Sequence, residues 1–107
     1  MTDDAKLAAL RRGMLEPLVL ASIEKHRRYA AEIVEALRVC NFPVLEGTLY
    51  PLLNRLRRDG LIEHEWQEST SGPPRKYLAL TAEGHAQLAT FRDYWTGLTH
   101  TLSNVGD

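Results

Sequence analysis

A single cysteine, Cys40, denies this chain any internal disulfide, so packing alone must hold the fold, as suits a reducing compartment. Long apolar runs are missing as well. No stretch reaches the roughly 18 residues of a membrane span, and Met1-Thr2-Asp3-Asp4 has neither the basic nor the apolar region of a secretory leader. The expected setting is the cytoplasm, without a membrane partner. Paired carboxylates, a nucleophile beside a base and a glycine-rich phosphate loop are also lacking, so an enzyme reading has no candidate site. His26, His64, His85 and His100 are scattered, with no pair at ligand spacing on one helix face; no metal site and no cofactor are expected. Cys40 ends a helical pattern and reads most simply as a small buried apolar residue, because a sensing thiol needs an exposed, electropositive setting.

An excess of positive charge is missing too. The formal net charge is −1, whereas nucleic-acid-binding domains are often strongly basic, so local grouping has to decide. Lys25, Arg27 and Arg28 form one cluster, Arg55, Arg57 and Arg58 a second, and Arg75 with Lys76 a third. Acids collect at Asp3, Asp4, Glu63, Glu65, Glu68 and Glu83. What the chain does have is 107 residues with 44% apolar content, enough for one globular domain.

Hydrophobic spacing orders that domain. Leu15, Leu18, Val19 and Ile23 make a helical stripe, with a separate short, weaker helix expected over Ala5 to Arg12. Ala30, Ile33, Val34 and Leu37 make a second stripe ending near Cys40. Leu49, Leu52, Leu53 and Leu56 make a third, in a helix that starts between Glu46 and Thr48, because Pro51 is tolerated only near a first turn. Gly60 supplies the left-handed residue that closes it. The period then becomes two: Ile62, His64 and Trp66 share one face of a strand, and Lys76 to Leu80 returns as its partner after a loop from Ser69 to Arg75. Trp66 and Tyr77 are expected to pack across these strands. Thr81 reads as the N-cap of a last helix with Glu83 in its first turn. Along that helix Leu88, Phe91, Trp95, Leu98 and Leu102 are spaced 3, 4, 3, 4, the seam of a coiled coil.

Three helices, a hairpin and a long helix make a mainly α protein with a small β-hairpin. This is the order of a winged helix-turn-helix with a C-terminal dimerisation helix. Residues 1–80 would form the DNA-binding unit and 81–107 the dimerisation helix, with Leu88, Phe91, Trp95, Leu98 and Leu102 at the interface. The helix from Glu46 takes the recognition position. Its outer face carries Gly47, Tyr50, Pro51, Asn54 and Arg58, flanked by Thr48 and Arg55, while Arg57 lies nearer the core. Gly47 and Pro51 keep its front slim for a major groove about 12 Å wide. Thr48, Tyr50 and Asn54 suit base edges or phosphates. Arg55 and Arg58 suit phosphates, and Arg75 and Lys76 on the wing suit a phosphate or minor-groove contact.

The stretches RRGMLEPLVLASI (Arg11 to Ile23), YAAEI (Tyr29 to Ile33), EGTLYPLLNRLRRDGLIE (Glu46 to Glu63) and SGPPRKYLALTAEG (Ser71 to Gly84) together resemble the PadR family of bacterial transcription regulators. The resemblance runs from about Leu10 to Trp95, and the short C-terminal tail looks like the compact branch with one dimerisation helix. It implies a dimeric DNA-binding protein, usually a repressor, whose operator affinity responds to a small aromatic or cationic effector or to another signal. At Ala31 the chain departs from the family, which usually has a tyrosine there. Phosphate contacts from the basic turn that includes Arg28, next to Tyr29, are an alternative.

Two readings stand for Trp95. On a dimer seam it meets its symmetry mate and leaves a slot for a flat ligand, lined or closed by Tyr94 and Asp93, as the compact branch implies. In the plainer one it packs against Phe91 and Leu98. For the whole chain, the rival to an operator-binding regulator is a winged-helix protein-interaction adaptor that has lost DNA binding. The operator reading requires half-sites about 34 Å apart, or a multiple of it, in a pseudo-palindrome. It also requires affinity that falls steeply with salt, by about 0.9 in log–log slope for each phosphate neutralised.

Overall fold

The computed structural model describes residues 3–107, so Met1 and Thr2, at the front of the segment read for a leader, lie outside the described residues. The elements are α1 (Asp3–Ser22), α2 (Ala30–Val39), α3 (Glu46–Arg58), β1 (Ile62–Ser69), β2 (Gly72–Leu80) and α4 (Ala82–Asn104). The mainly helical class with a two-stranded antiparallel hairpin is the one expected.

The front of the chain differs from expectation: α1 is one continuous helix, not a short one followed by another. From Ala5 to Arg12 the residues are Ala, Lys, Leu and Arg, all strong helix formers. The one weak position, Gly13, costs only about 1 kcal/mol, too little to stop the helix. Pro17 removes the N–H that would have bonded the Gly13 carbonyl, and the helix continues past both.

Val19 and Leu20 of α1 with Ile23 just beyond it, Ala30, Ile33 and Leu37 of α2, and Leu49, Leu53 and Leu56 of α3 interdigitate in one core. Ile62, Leu78 and Leu80 close it from the hairpin. Each buried valine, leucine and isoleucine contributes about 1.5–3 kcal/mol through its removal from water. After α2 the chain turns through Asn41, whose φ of 63° lies in the left-handed region that asparagine tolerates. It enters α3 at Glu46, and Gly60, with φ of 77°, terminates α3 as its position implied.

The wing is more regular than expected. In place of a long loop over Ser69 to Arg75, both strands run almost to the tip and turn at Thr70 and Ser71. The pairing is irregular only between Gln67 and Ser69, opposite Pro73 and Pro74. Proline cannot donate to a ladder, so a bulge near the tip is where two of them fit. The register sets Trp66 opposite Lys76 and Tyr77 opposite Glu65, so Trp66 and Tyr77 point to opposite faces and do not pack across the strands as expected. On its other edge β2 meets the α1–α2 connection at one bridge, where Leu78 and Arg28 exchange both backbone hydrogen bonds at 2.9 and 3.2 Å.

Thr81 caps α4 as expected, its hydroxyl accepting from the Gly84 N–H at 3.0 Å and donating to the Gly60 carbonyl. Gly84 lies against the Leu61 carbonyl so closely that a Cβ there would come to 2.0 Å from the oxygen. Leu88, one turn further, is 2% exposed and belongs to this core, which corrects its expected place on a dimer seam. Its neighbours in sequence fare differently. Phe91 is half-buried, and every residue from Arg92 to Asp107 is exposed.

Candidate nucleic-acid interface

The apolar stripe of α3 faces inward, so the 3.6-residue period turns Gly47, Pro51, Asn54 and Arg58 outward. Glu46, Tyr50 and Arg57 lean toward the hairpin, while Thr48 and Arg55 lean toward α1. Thr48, Tyr50, Asn54, Arg55 and Arg58 are all exposed. Pro51 is the sixth residue of α3, so the Gly47 carbonyl loses its ladder partner on this open face.

A cleft of about 340 Å³ separates α3 from the wing, lined among others by Tyr50, Asn54 and Arg57 on the helix and Trp66, Arg75 and Lys76 on the strands. Tyr29 stands at its base. The Tyr29 backbone N–H accepts the role of a helix start by donating to the Glu32 carboxylate at 3.2 Å. Its ring meets Tyr77 edge-on, with centroids 5.4 Å apart and planes at 84°. The Arg75 guanidinium lies 4.6 Å from the Tyr29 ring centre, a cation–π geometry that holds the wing arginine beside α2. Trp66, 62% exposed, stands beside Lys76 on the cleft side of the hairpin.

Several cations expected to be free are engaged within the chain. The Arg28 Nε donates to the Ser22 carbonyl at 2.7 Å, and its backbone is paired with Leu78, so this half-buried side chain serves the α1–α2 corner. Arg27 is paired with Glu65. Arg55 reaches back to Glu16 of α1 at 2.8 Å, a contact between residues 39 apart in sequence that helical periodicity does not reveal. Arg57 is locally partnered, as its position implied, donating to His64 Nδ1 at 3.4 Å. Removal from water and the Lys76 and Arg57 charges hold the His64 pKa below the usual histidine value. Arg58 forms no side-chain ion pair or hydrogen bond among the described residues.

On α4, Trp95 is 40% exposed, Leu98 42% and Leu102 81%, and Val105 extends the same apolar row beyond the residues expected there. Tyr94 and Asp93 are exposed beside Trp95. Leu7 and Leu10 of α1 are exposed apolar residues that the helical stripes did not single out. Arg92 forks onto Glu24 in the α1–α2 connection with bonds of 2.9 and 3.1 Å, fixing where α4 leaves the core. That pairing lowers the Glu24 pKa below the usual carboxylate range and raises that of Arg92. Cys40 is exposed at the end of α2, not buried as expected, because the helix stops there and the chain turns away through Asn41. Among the described residues no cluster of three or more His, Cys, Asp or Glu is placed to hold a metal ion, and no helix is long and apolar enough to cross a membrane.

A three-helix core with an outward-facing third helix, flanked by a hairpin, defines the winged helix-turn-helix class. Residues 19–90 match the model of the transcriptional regulator PadR-like family. The chain belongs to this family, whose members are transcriptional regulators and not enzymes. It is similar to a PadR-like transcription factor from Bacteroides fragilis, with 42% identity and a TM-score of 0.82 over 96% of this chain and 99% of that one. A PadR family transcriptional regulator from Eggerthella lenta DSM 2243 is 33% identical, with a TM-score of 0.87 over 97% and 91% of the two chains. The structure of Bacillus subtilis PadR in complex with operator DNA shares the fold at 20% identity and a TM-score of 0.66, over 72% of this chain and 45% of that one.

Proposed function

We propose that this chain is a homodimeric, sequence-specific DNA-binding regulator that represses transcription and is released from a pseudo-palindromic operator by a small aromatic or cationic effector. The observation that carries the reading is the outward face of α3. Gly47 and Pro51 keep it slim, Asn54 projects from its middle and Arg58 from its C-terminal end, and Tyr50 stands toward a wing that bears Arg75 and Lys76. A helix so shaped enters a major groove of about 12 Å. Asn54 and Tyr50 then read base edges while Arg58, Arg75 and Lys76 take phosphates. Tyr29 holds Arg75 in position for this. The relative crystallised with operator DNA supports the reading at the level of the fold.

The tail supports dimerisation: from Arg92 to Asn104 every residue of the helix is exposed, and the apolar row of Trp95, Leu98 and Leu102 on it is left without cover. A second copy of α4 on the row of Phe91, Trp95, Leu98 and Leu102 covers it. In this division residues 1–80 read DNA and 81–107 dimerise, with the first turns of α4 shared with the core through Leu88. Where Trp95 meets its mate, a flat ligand stacks between the rings, bordered by Tyr94 and Asp93. The test is selection of retained sequences from random duplexes with the wild type and with Asn54→Ala. The wild type is expected to enrich an inverted repeat, and the folded variant to lose that preference. A variant with unchanged preference would displace α3 from the reading role.

A further inference from the structure

The recognition helix is flanked by a second groove, on the side away from the wing. It lies between α1 and α3, has a volume of about 340 Å³, and is lined by Arg12, Leu15, Glu16, Pro51, Arg55 and Arg58 among others. Three arginines against one glutamate leave two positive charges uncompensated. Glu16 is already engaged, drawing Arg55 across from α3 at 2.8 Å. Arg12 and Arg58 are exposed and form no ion pair among the described residues. The floor, from the half-buried Leu15 and Leu52, is apolar and uncharged.

We propose that this groove is a second site for the DNA phosphate backbone, in which Arg12 of α1, with Arg55 and Arg58, holds the strand opposite the one taken by the wing. This role for the groove rests on the operator-binding reading of α3. A helix lying in the major groove has a sugar–phosphate wall on each side. With Arg57, Arg75 and Lys76 toward one wall, the other needs cations on the α1 side, and these are the ones placed there. Arg12 stands outside the recognition helix and the wing, so it positions the duplex without reading sequence. Glu16 keeps the Arg55 guanidinium on the groove and excludes a deeper approach of the phosphate.

The test measures affinity of the full-length wild type, Arg12→Ala, Arg12→Lys and Asn54→Ala for a selected duplex and for random duplexes across a salt series. Thermal unfolding confirms that each variant is folded. Arg12→Ala is expected to weaken all duplexes by a common several-fold factor and to keep the selected sequence preference. It should flatten the log–log salt slope by about 0.9 per protomer, and Arg12→Lys should restore most of it. If Arg12→Ala keeps the wild-type affinity and slope while Asn54→Ala loses its preference, this groove is not a backbone site although α3 still reads DNA. If the wild type binds no duplex, the operator reading falls and the inference with it.

Discussion

Replacing Gly84 with alanine puts the joint between the wing and α4 to a quantitative test. The new Cβ would sit 2.0 Å from the Leu61 carbonyl oxygen, 3.1 Å from its carbon and 3.2 Å from Leu80 Cδ2. Carbon–oxygen contacts settle at about 3.3 Å or more, so the first turn of α4 must retreat by roughly 1.3 Å. Leu61 cannot yield by rotating a side chain. The clashing atom is backbone, held by Leu61 N–H to the Leu56 carbonyl at 3.0 Å and by Thr81 N–H to the Leu61 carbonyl at 3.1 Å. Retreat weakens the Thr81 cap, worth about 1 kcal/mol, and pulls Leu88 outward, with overpacking strain of about 1–3 kcal/mol. Alanine's helix preference returns at most about 1 kcal/mol. The net loss is about 1–3 kcal/mol, which lowers the Tm of a domain this size by roughly 4–24 °C. Thermal unfolding followed by circular dichroism, at fixed protein concentration, measures it. Gly47→Ala is the control, since a Cβ there meets nothing within 4 Å, and its Tm should hold or rise slightly. A Gly84→Ala protein as stable as the wild type would refute the close-approach argument.

Leu102→Glu is expected to halve the mass measured by light scattering while leaving the protomer fold intact, because Leu102 is 81% exposed and touches none of the core; a wild type that is already monomeric would remove the α4 interface. Planar aromatic or cationic compounds should quench tryptophan emission through Trp95. Trp95→Leu should abolish that response, and quenching that persists in this variant would move the effector to Trp66. The Arg92 bond depresses the folded-state pKa of Glu24, so the unfolded chain takes up its proton first. The contribution of the pair to stability is therefore complete above the ordinary glutamate value of about 4.3 and fades as pH falls through the lower folded value. Glu24→Gln should lower the Tm at neutral pH and converge on the wild type in acid; a gap independent of pH would contradict this.

Much of the fold could be read from periodicity. The leucines of α3, the alternation of β1, Thr81 as a cap and Gly60 as a terminator are local signals, each set by a few neighbouring residues. What escaped reading depends on partners distant in the chain. Leu88 fits a seam by spacing, yet the close approach of Gly84 to Leu61 brings it onto the core. Arg28 and Arg55 resemble free cations until the folded chain sets them beside Ser22 and Glu16. The hairpin register that separates Trp66 from Tyr77 follows from the one-residue shift between Gln67 and Ser69, opposite Pro73 and Pro74, where the Gly-Pro-Pro run suggested a long loop. Arg12 gave no signal, since its meaning comes from Arg55 and Arg58 across the groove.

The most direct test of the central claim is enrichment of random duplexes by the purified wild-type protein at moderate salt, followed by sequencing. The expected result is an inverted repeat with half-sites one helical turn apart, about 34 Å, or a multiple of it. A folded dimer that enriches no sequence would contradict it and turn the exposed face of α3 into a surface for a protein partner.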